Sequence, residues 1–284
     1  MVARIKMNGN NEKKAPPMGV HIDEQLNITH EGEPDLDIKV EVVFQQAIKA
    51  LNESGLKYAV GAAFARNIYT GIWRSTKDLD IFLKPEDLHA VMNVLKKAGF
   101  RTSVENPVWL AKAYKGRHFV DLIFGTGHGI YRFDDRSFEG GPRVEVLDVE
   151  TTLIPIEEMI VSNSYLASRQ RFDGADIAHL IHGVKGKLDW DRVVERLGED
   201  RQLILWHLVL FDYIYPGHKD YLPQALMLKL FNEMRQRWKK PVRRKKAFRG
   251  MLVDPFSFAV DVEDWGYEDR RNLEPLVDEE GNIL

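Results

Sequence analysis

The hydrophobic periodicity of this chain changes at Pro155, and that change constrains the fold more than any other feature of its 284 residues. Before Pro155, short strand-like runs mix with helical repeats; after it, one helical repeat follows another. In the first part, Val42, Val43, Ala47, Ile48 and Leu51 recur at helical spacing, predicting a helix over 38–52 that stops at Gly55. Strands are expected at 57–62 and 78–83, with a short helix at 64–70 between them and a helix from Pro85 to Gly99 after them. Alternating stretches at 101–104, 109–114 and 118–124, separated by Asn-Pro and Lys-Gly, suit a meander. The sum is a mixed sheet of about five strands flanked by helices. Beyond Pro155, helices are predicted at 156–169, 174–182, 190–197, 202–213 and 222–238, with Asp189 as an N-cap. The fold class is therefore α+β. The expected divisions are a flexible arm at 1–36, a catalytic domain at 37–154, a helical domain at 155–240 and a basic then acidic tail at 241–284.

Composition removes several classes of function. Forty Lys and Arg against 43 Asp and Glu leave a charge of -3, unlike a histone-like or acidic-tail protein. The absence of Cys excludes disulfide scaffolds, thiolate zinc sites, iron–sulfur clusters and a Cys nucleophile, so any chemistry must come from oxygen and nitrogen groups. The longest uncharged apolar stretch, 202–211, is half of the roughly 20 residues needed to span a bilayer. Together with a polar, Lys-rich N-terminus, this predicts a soluble cytoplasmic protein with no membrane partner.

Three Asp-x-Asp triplets occur. Those at Asp35/Asp37 and Asp189/Asp191 open helices, and capping accounts for them. Asp78 and Asp80 instead begin an apolar strand, whose two-residue period projects both carboxylates from one face while Leu79, Ile81 and Leu83 face the core. Asp121 is embedded in the apolar run 119–124, where a carboxylate needs a partner. Three carboxylates converging from two strands suit a hard divalent ion, with Mg²⁺ the natural candidate and Mn²⁺ a substitute. Upstream, Gly61 and Ala62 lie between a strand and a short helix, where backbone N–H groups can approach phosphate.

These residues resemble the DNA polymerase β-like minimal nucleotidyltransferases. Gly61-Ala62 and the string Arg74-Ser75-Thr76-Lys77-Asp78-Leu79-Asp80 carry the resemblance, fitting the Arg-x-Thr-x-Asp-x-Asp pattern of several subfamilies, with Asp121 matching the third carboxylate. The likeness spans roughly 40–180. It implies Mg²⁺-dependent transfer of a nucleoside monophosphate from an NTP such as ATP to an acceptor, with release of pyrophosphate. Asp78, Asp80 and Asp121 would be catalytic metal ligands, and Gly61, Ala62, Arg74 and Lys77 would steady the triphosphate. Two departures stand out: the family turn reads Gly-Gly or Gly-Ser where Ala62 stands here, and a Lys common in relatives aligns with Asn163. They motivate an alternative, a catalytically weakened relative that binds a partner protein or RNA.

Other features admit more than one reading. Asp173, Asp176, His179 and His182 fall at three-residue steps in a segment taken as helical from Arg169; a cap at Asp173 with polar links between packed domains is favoured over a second metal site. Arg169 and Asp173 are candidate nucleotide contacts. His118 and His128 are expected to be hydrogen-bonded surface groups, and Trp206, Tyr213 and Tyr215 to be core. Residues 235–249 hold nine basic residues and no acid, whereas 254–284 hold ten acids and two Arg. The basic run is a candidate nucleic-acid contact, or it folds against the acidic tail.

Overall fold

The computed structural model describes residues 21–22, 28–29, 36–73 and 76–277. The arm expected at 1–36 lies mostly outside the described residues, as do Arg74 and Ser75. Within it, β1 (His21–Ile22) and β2 (Ile28–Thr29) form an antiparallel ladder.

The first helix, α1 (Ile38–Ser54), begins where Asp37 accepts the Lys39 N–H at 2.8 Å and ends at Gly55 in a left-handed conformation, φ +69°. Its stripe of Val43, Phe44, Ala47, Ile48 and Leu51 is buried. A five-stranded sheet follows, built from β3 (Tyr58–Val60), β4 (Asp78–Leu83), β5 (Arg101–Asn106), β6 (Leu110–Lys115) and β7 (His118–Ile123) in the order β3-β4-β7-β6-β5. Only β4 and β7 run parallel. A parallel pair needs a long crossover, supplied here by α3 (Leu88–Lys97) and the β5–β6 hairpin, while α2 (Ala62–Thr70) joins β3 to β4. This is the mixed sheet with flanking helices that the sequence predicts.

A second hairpin, β8 (Arg143–Val146) with β9 (Val149–Thr152), was not expected, because its strands alternate over only four residues each. Its continuation covers the open edge of β3: Leu153 bridges Val60 in parallel, and the Ile154 N–H donates to the Val60 carbonyl at 2.9 Å.

The helices after Pro155 are α4 (Ile156–Ser164), α5 (Gly174–Gly183), α6 (Trp190–Leu197), α7 (Gln202–Ile214), α8 (Gln224–Arg237), α9 (Gly250–Val253) and α10 (Ala259–Glu263). The helix expected over 156–169 stops early. Ser164 turns its hydroxyl back onto the Ile160 carbonyl at 2.7 Å, and the following loop closes on itself through a bridge between Ala167 and Phe172. Trp206 and Tyr213 are 43% and 84% exposed, not core as expected. The α7 segment is apolar nearly all round, and Ile204, Leu205, Leu208 and Phe211 already fill the one face that meets the core. Tyr215 does pack, its ring 5.1 Å from Phe211. One hydrophobic cluster runs from Phe44 and Leu79 through Leu153 and Ile160 to Leu180 and Leu208.

A buried ion-pair network also joins α4, α6 and the 131–139 segment. Glu158 on α4, fully buried, accepts from Arg192 Nε and Nη2 at 2.9 and 2.8 Å and from Arg196 Nε at 3.3 Å. Arg192 also donates to the carbonyls of Arg136 and Glu139, and Arg196 to Asp134, Ser137 and the Tyr131 hydroxyl. Among the described residues no helix is long and apolar enough to cross a membrane.

Candidate active site

In β4 the period-two pattern holds: Leu79, Ile81 and Leu83 are fully buried, while Asp78 and Asp80 lie on the other face with Phe82. The strand register then sets the site. Asp80 stands beside Asp121 on β7, Asp121 opposite Lys112 on β6, and Lys112 opposite Ser103 on β5, one polar row across four strands. The three carboxylates singled out in the sequence therefore share one face.

Their electrostatics differ. Asp78 accepts from the Thr76 hydroxyl at 2.6 Å, which fixes the strand entry. Asp80 is pushed up to about 7, first by burial and then by the charges of Asp78 and Asp121, with Arg171 and Lys112 opposing. Asp121 is also raised, because burial outweighs its bond from Lys112 Nζ at 2.6 Å. That ammonium sits 3.9 Å from the centre of the Phe119 ring. Lys112 went unread as a partner, yet a signal was there. The Gly116-Arg117 turn pairs Lys115 with His118, and counting back three residues and forward three sets Lys112 against Asp121.

The glycine turn adjoins this row. Gly61 donates its N–H to the Asp80 carbonyl at 3.0 Å, and a Cβ there would lie 2.1 Å from the Phe82 ring, so only glycine fits. Ala62 begins α2 with φ +44°, a conformation that L-residues with a Cβ rarely adopt. The N–H groups of Ala62, Ala63 and Phe64 have no carbonyl four residues back within the helix, the arrangement that suits an anion. An ion pair between Arg66 and Asp176, 2.8 Å and largely buried, ties α2 to α5.

The segment taken as a helix from Arg169 is a loop up to Asp173, and α5 starts only at Gly174. Asp173 therefore does not share a helical face with Asp176, and it makes no side-chain cap. It is buried and gripped by Arg171, whose Nε and Nη2 donate at 3.1 and 2.8 Å. Arg171, two residues from the expected Arg169, is the cation of this loop whose field reaches Asp80. The Arg169 N–H is bound to Asp254 at 3.1 Å and its side chain is exposed, like that of Lys77. Only the loop conformation distinguishes Arg169 from Arg171, and nothing in the tripeptide encodes it. The Asn163 carbonyl accepts the Leu166 N–H beyond the end of α4. His128, expected at the surface, is buried against the Tyr165 ring, 4.2 Å between centres, and burial holds it at about 4. His182 lies against the tilted Tyr215 ring and meets His218 edge-on.

The fit to a divalent ion is divided. Asp78 and Asp80 offer hard oxygen donors whose mutual repulsion a cation would relieve. Asp121 is committed to Lys112, and among the described residues no group of three or more His, Asp or Glu is arranged to hold a metal ion.

The sequence matches no family model and no curated protein. Among solved structures it is similar to a nucleotidyltransferase-like protein from Paracoccidioides brasiliensis, with 14% identity, a TM-score of 0.41, and coverage of 65% of this chain and 94% of that one. It is similar to the antibiotic-resistance factor ANT(2'')-Ia at 15% identity and a TM-score of 0.39, covering 66% of this chain and 99% of that one. A third likeness, to the lincosamide antibiotic adenylyltransferase LnuA, has 15% identity and a TM-score of 0.36, covering 49% and 94%. Parallel carboxylate strands beside a glycine turn, followed by helices, make up the α+β architecture of this chain.

Proposed function

We propose that the protein transfers a nucleoside monophosphate from an NTP to an acceptor, releasing pyrophosphate, with the chemistry on 37–154 and residues 155–240 forming the wall of the cleft. The observation that carries this reading is the register that sets Asp80 beside Asp121, with Asp78 on the same face and the Gly61 turn hydrogen-bonded to Asp80 itself. Asp78 and Asp80 would hold one Mg²⁺, or Mn²⁺ in its place, which when bound would neutralise charge on the triphosphate. The turn at Gly61 and Ala62 would steady the phosphates through backbone N–H groups, aided by Arg74, Lys77 and the loop carrying Arg169, Arg171 and Asp173.

Asp121, with its raised pKa, is suited to accept a proton from an acceptor hydroxyl, and Lys112 would hold and orient it. The acceptor oxygen would bond to the α-phosphorus as the bond from that phosphorus to the β-bridging oxygen breaks.

A second reading, a weakened relative that only binds nucleotide, is motivated by the Lys112–Asp121 bond and by Ala62 in place of Gly or Ser. Two measurements separate the readings. Thermal denaturation with each NTP, with and without Mg²⁺, should show stabilisation by the pair together and little by either alone. Incubation with each labelled NTP, Mg²⁺ and candidate acceptors, including the protein itself, should release pyrophosphate. Stabilisation without any release would select the second reading; neither effect would refute both.

A further inference from the structure

The basic run at 235–249 has two sequence-level readings, and the structure discriminates between them. If the acidic tail neutralised it, the two would be joined by ion pairs. Among the described residues the run lies against the tail through the Lys245 carbonyl, which accepts the Glu268 N–H at 3.1 Å, and through Phe248, whose ring packs on Phe258 and Tyr267. Only Lys246 forms an ion pair with a tail acid, Glu268 at 3.4 Å, while Arg249 turns to Asp200 and Glu199 on the helical body. Two of the tail acids are engaged elsewhere: Asp254 accepts N–H groups from Arg169, Phe256 and Ser257, and Asp269 pairs with Arg271. Eight of the nine basic residues are exposed. The positive charge is thus turned to solvent, which costs self-repulsion unless an anionic ligand occupies the face.

The surroundings define that ligand. One face of α8, with Lys229, Glu233, Gln236 and Arg237 at helical spacing and Lys240 just beyond, lines a groove of about 760 Å³ against Arg201 and Gln202. Glu233 is satisfied by Arg201 at 2.9 Å and Arg237 donates to the Gln202 amide, so Lys229, Arg237 and Lys240 remain as cations without a carboxylate partner among the described residues. Leu230 is the one apolar residue in the lining, so the groove offers no pocket for the apolar anchor that a protein partner would bring. On the other side of the exposed part of α8, Leu228, Phe231, Arg235 and Trp238 fall at steps of three, four and three. Leu228, Phe231 and Trp238 are 66%, 45% and 68% exposed. Arg235 set among these bare aromatic faces, with exposed Lys239 and Lys240 just beyond, matches a polymer that alternates phosphates and unpaired bases.

We propose that the side of α8 carrying Leu228, Phe231, Arg235 and Trp238, with the basic segment after it, binds single-stranded nucleic acid, with phosphates at Arg235, Lys239, Lys240 and Arg243 and bases on Trp238 and Phe231. The proposal is independent of transferase activity. It is tested on the full chain by fluorescence anisotropy with a labelled 20-nucleotide RNA, the same sequence in DNA, a DNA duplex, and heparin and polyglutamate as competitors. Single strands should bind more tightly than duplex, and the RNA and DNA arms identify which strand is preferred.

With about four phosphates contacted, affinity should fall roughly 50-fold between 50 and 200 mM salt. Replacing Lys239, Lys240, Arg243 and Arg244 by Glu should abolish binding without changing the thermal midpoint. Trp238→Ala should weaken it about fivefold or more. Unchanged affinity in the charge-reversed protein, or the absence of salt dependence, would overturn the proposal. So would polyglutamate competing as well as RNA, which would identify an acidic polypeptide as the ligand. The charge-reversed protein should keep its stabilisation by NTP and Mg²⁺, so failure here is distinguishable from failure of the transferase reading.

Discussion

Glu158 and Asp80 are carboxylates withdrawn from water in the same molecule, and their neighbours differ in sign. Burial pushes Glu158 up, and two guanidinium groups oppose it. Burial also pushes Asp80 up, but there two further carboxylates add to the shift, opposed by the fields of Arg171 and Lys112. The first site is matched within the protein, which is what a structural network needs. The second keeps an excess of negative charge on one face of the sheet, a state that costs stability until a cation arrives. That difference separates the part of the chain that holds the fold together from the part proposed to do chemistry.

The comparison can be broken most severely at Glu158. Glu158→Ala strands Arg192 and Arg196 and should cost about 3–5 kcal/mol of stability in urea unfolding; an unchanged midpoint would mean the network is dispensable. Asp80→Asn should do the reverse, lowering NMP transfer on the order of a hundredfold or more while leaving the metal-free protein at least as stable as wild type. Near-wild-type turnover in the folded variant would remove Asp80 from the mechanism.

A pH scan sharpens the contrast. The Asp80 carboxyl sits at about 7 in the folded chain and near 3.9 when unfolded, so the folded state binds the proton more tightly. Its contribution is full at low pH and is lost as pH rises through 7, about 2.5 kcal/mol between pH 5 and 8. Asp80→Asn should flatten that slope, and so should saturating Mg²⁺; a slope that persists in both would place its origin elsewhere. The smallest effect is expected at Lys112. Lys112→Met keeps the packing on Phe119 but frees Asp121, and should alter stability by only about 1 kcal/mol, because the carboxylate can take up a proton. Mn²⁺ titration followed by electron paramagnetic resonance should then detect a tighter or additional ion; unchanged Mn²⁺ binding would show that Lys112 does not compete for the site.

Much of this arrangement was legible because it rests on local periodicity. The β4 strand, its inward Leu79, Ile81 and Leu83, and the paired outward aspartates follow from a two-residue repeat, and the caps at Asp37 and Asp189 follow from residue type beside a helical run. What escaped depends on contacts between distant segments. The end of α4 at Ser164 and the choice of Arg171 over Arg169 are settled by a loop whose shape depends on its tertiary packing. Trp206 lost its expected burial because more apolar surface lies on α7 than its neighbours can cover. Lys112 is the intermediate case, since hairpin arithmetic reaches it once the turn is recognised.

The hydrogen bond from Ile154 to Val60 has a mechanical consequence. Its acceptor lies one residue before Gly61 and its donor two residues before α4 begins, so a rigid rod is hitched almost directly to the loop proposed to grip the triphosphate. Tilting α4, whether by a docked acceptor or by a change among the helices behind it, must drag that loop as a lever drags its fulcrum pin. Helix position and the Gly61 loop are thereby coupled through this main-chain hydrogen bond, with the Tyr69 hydroxyl holding the Ile154 carbonyl beside it.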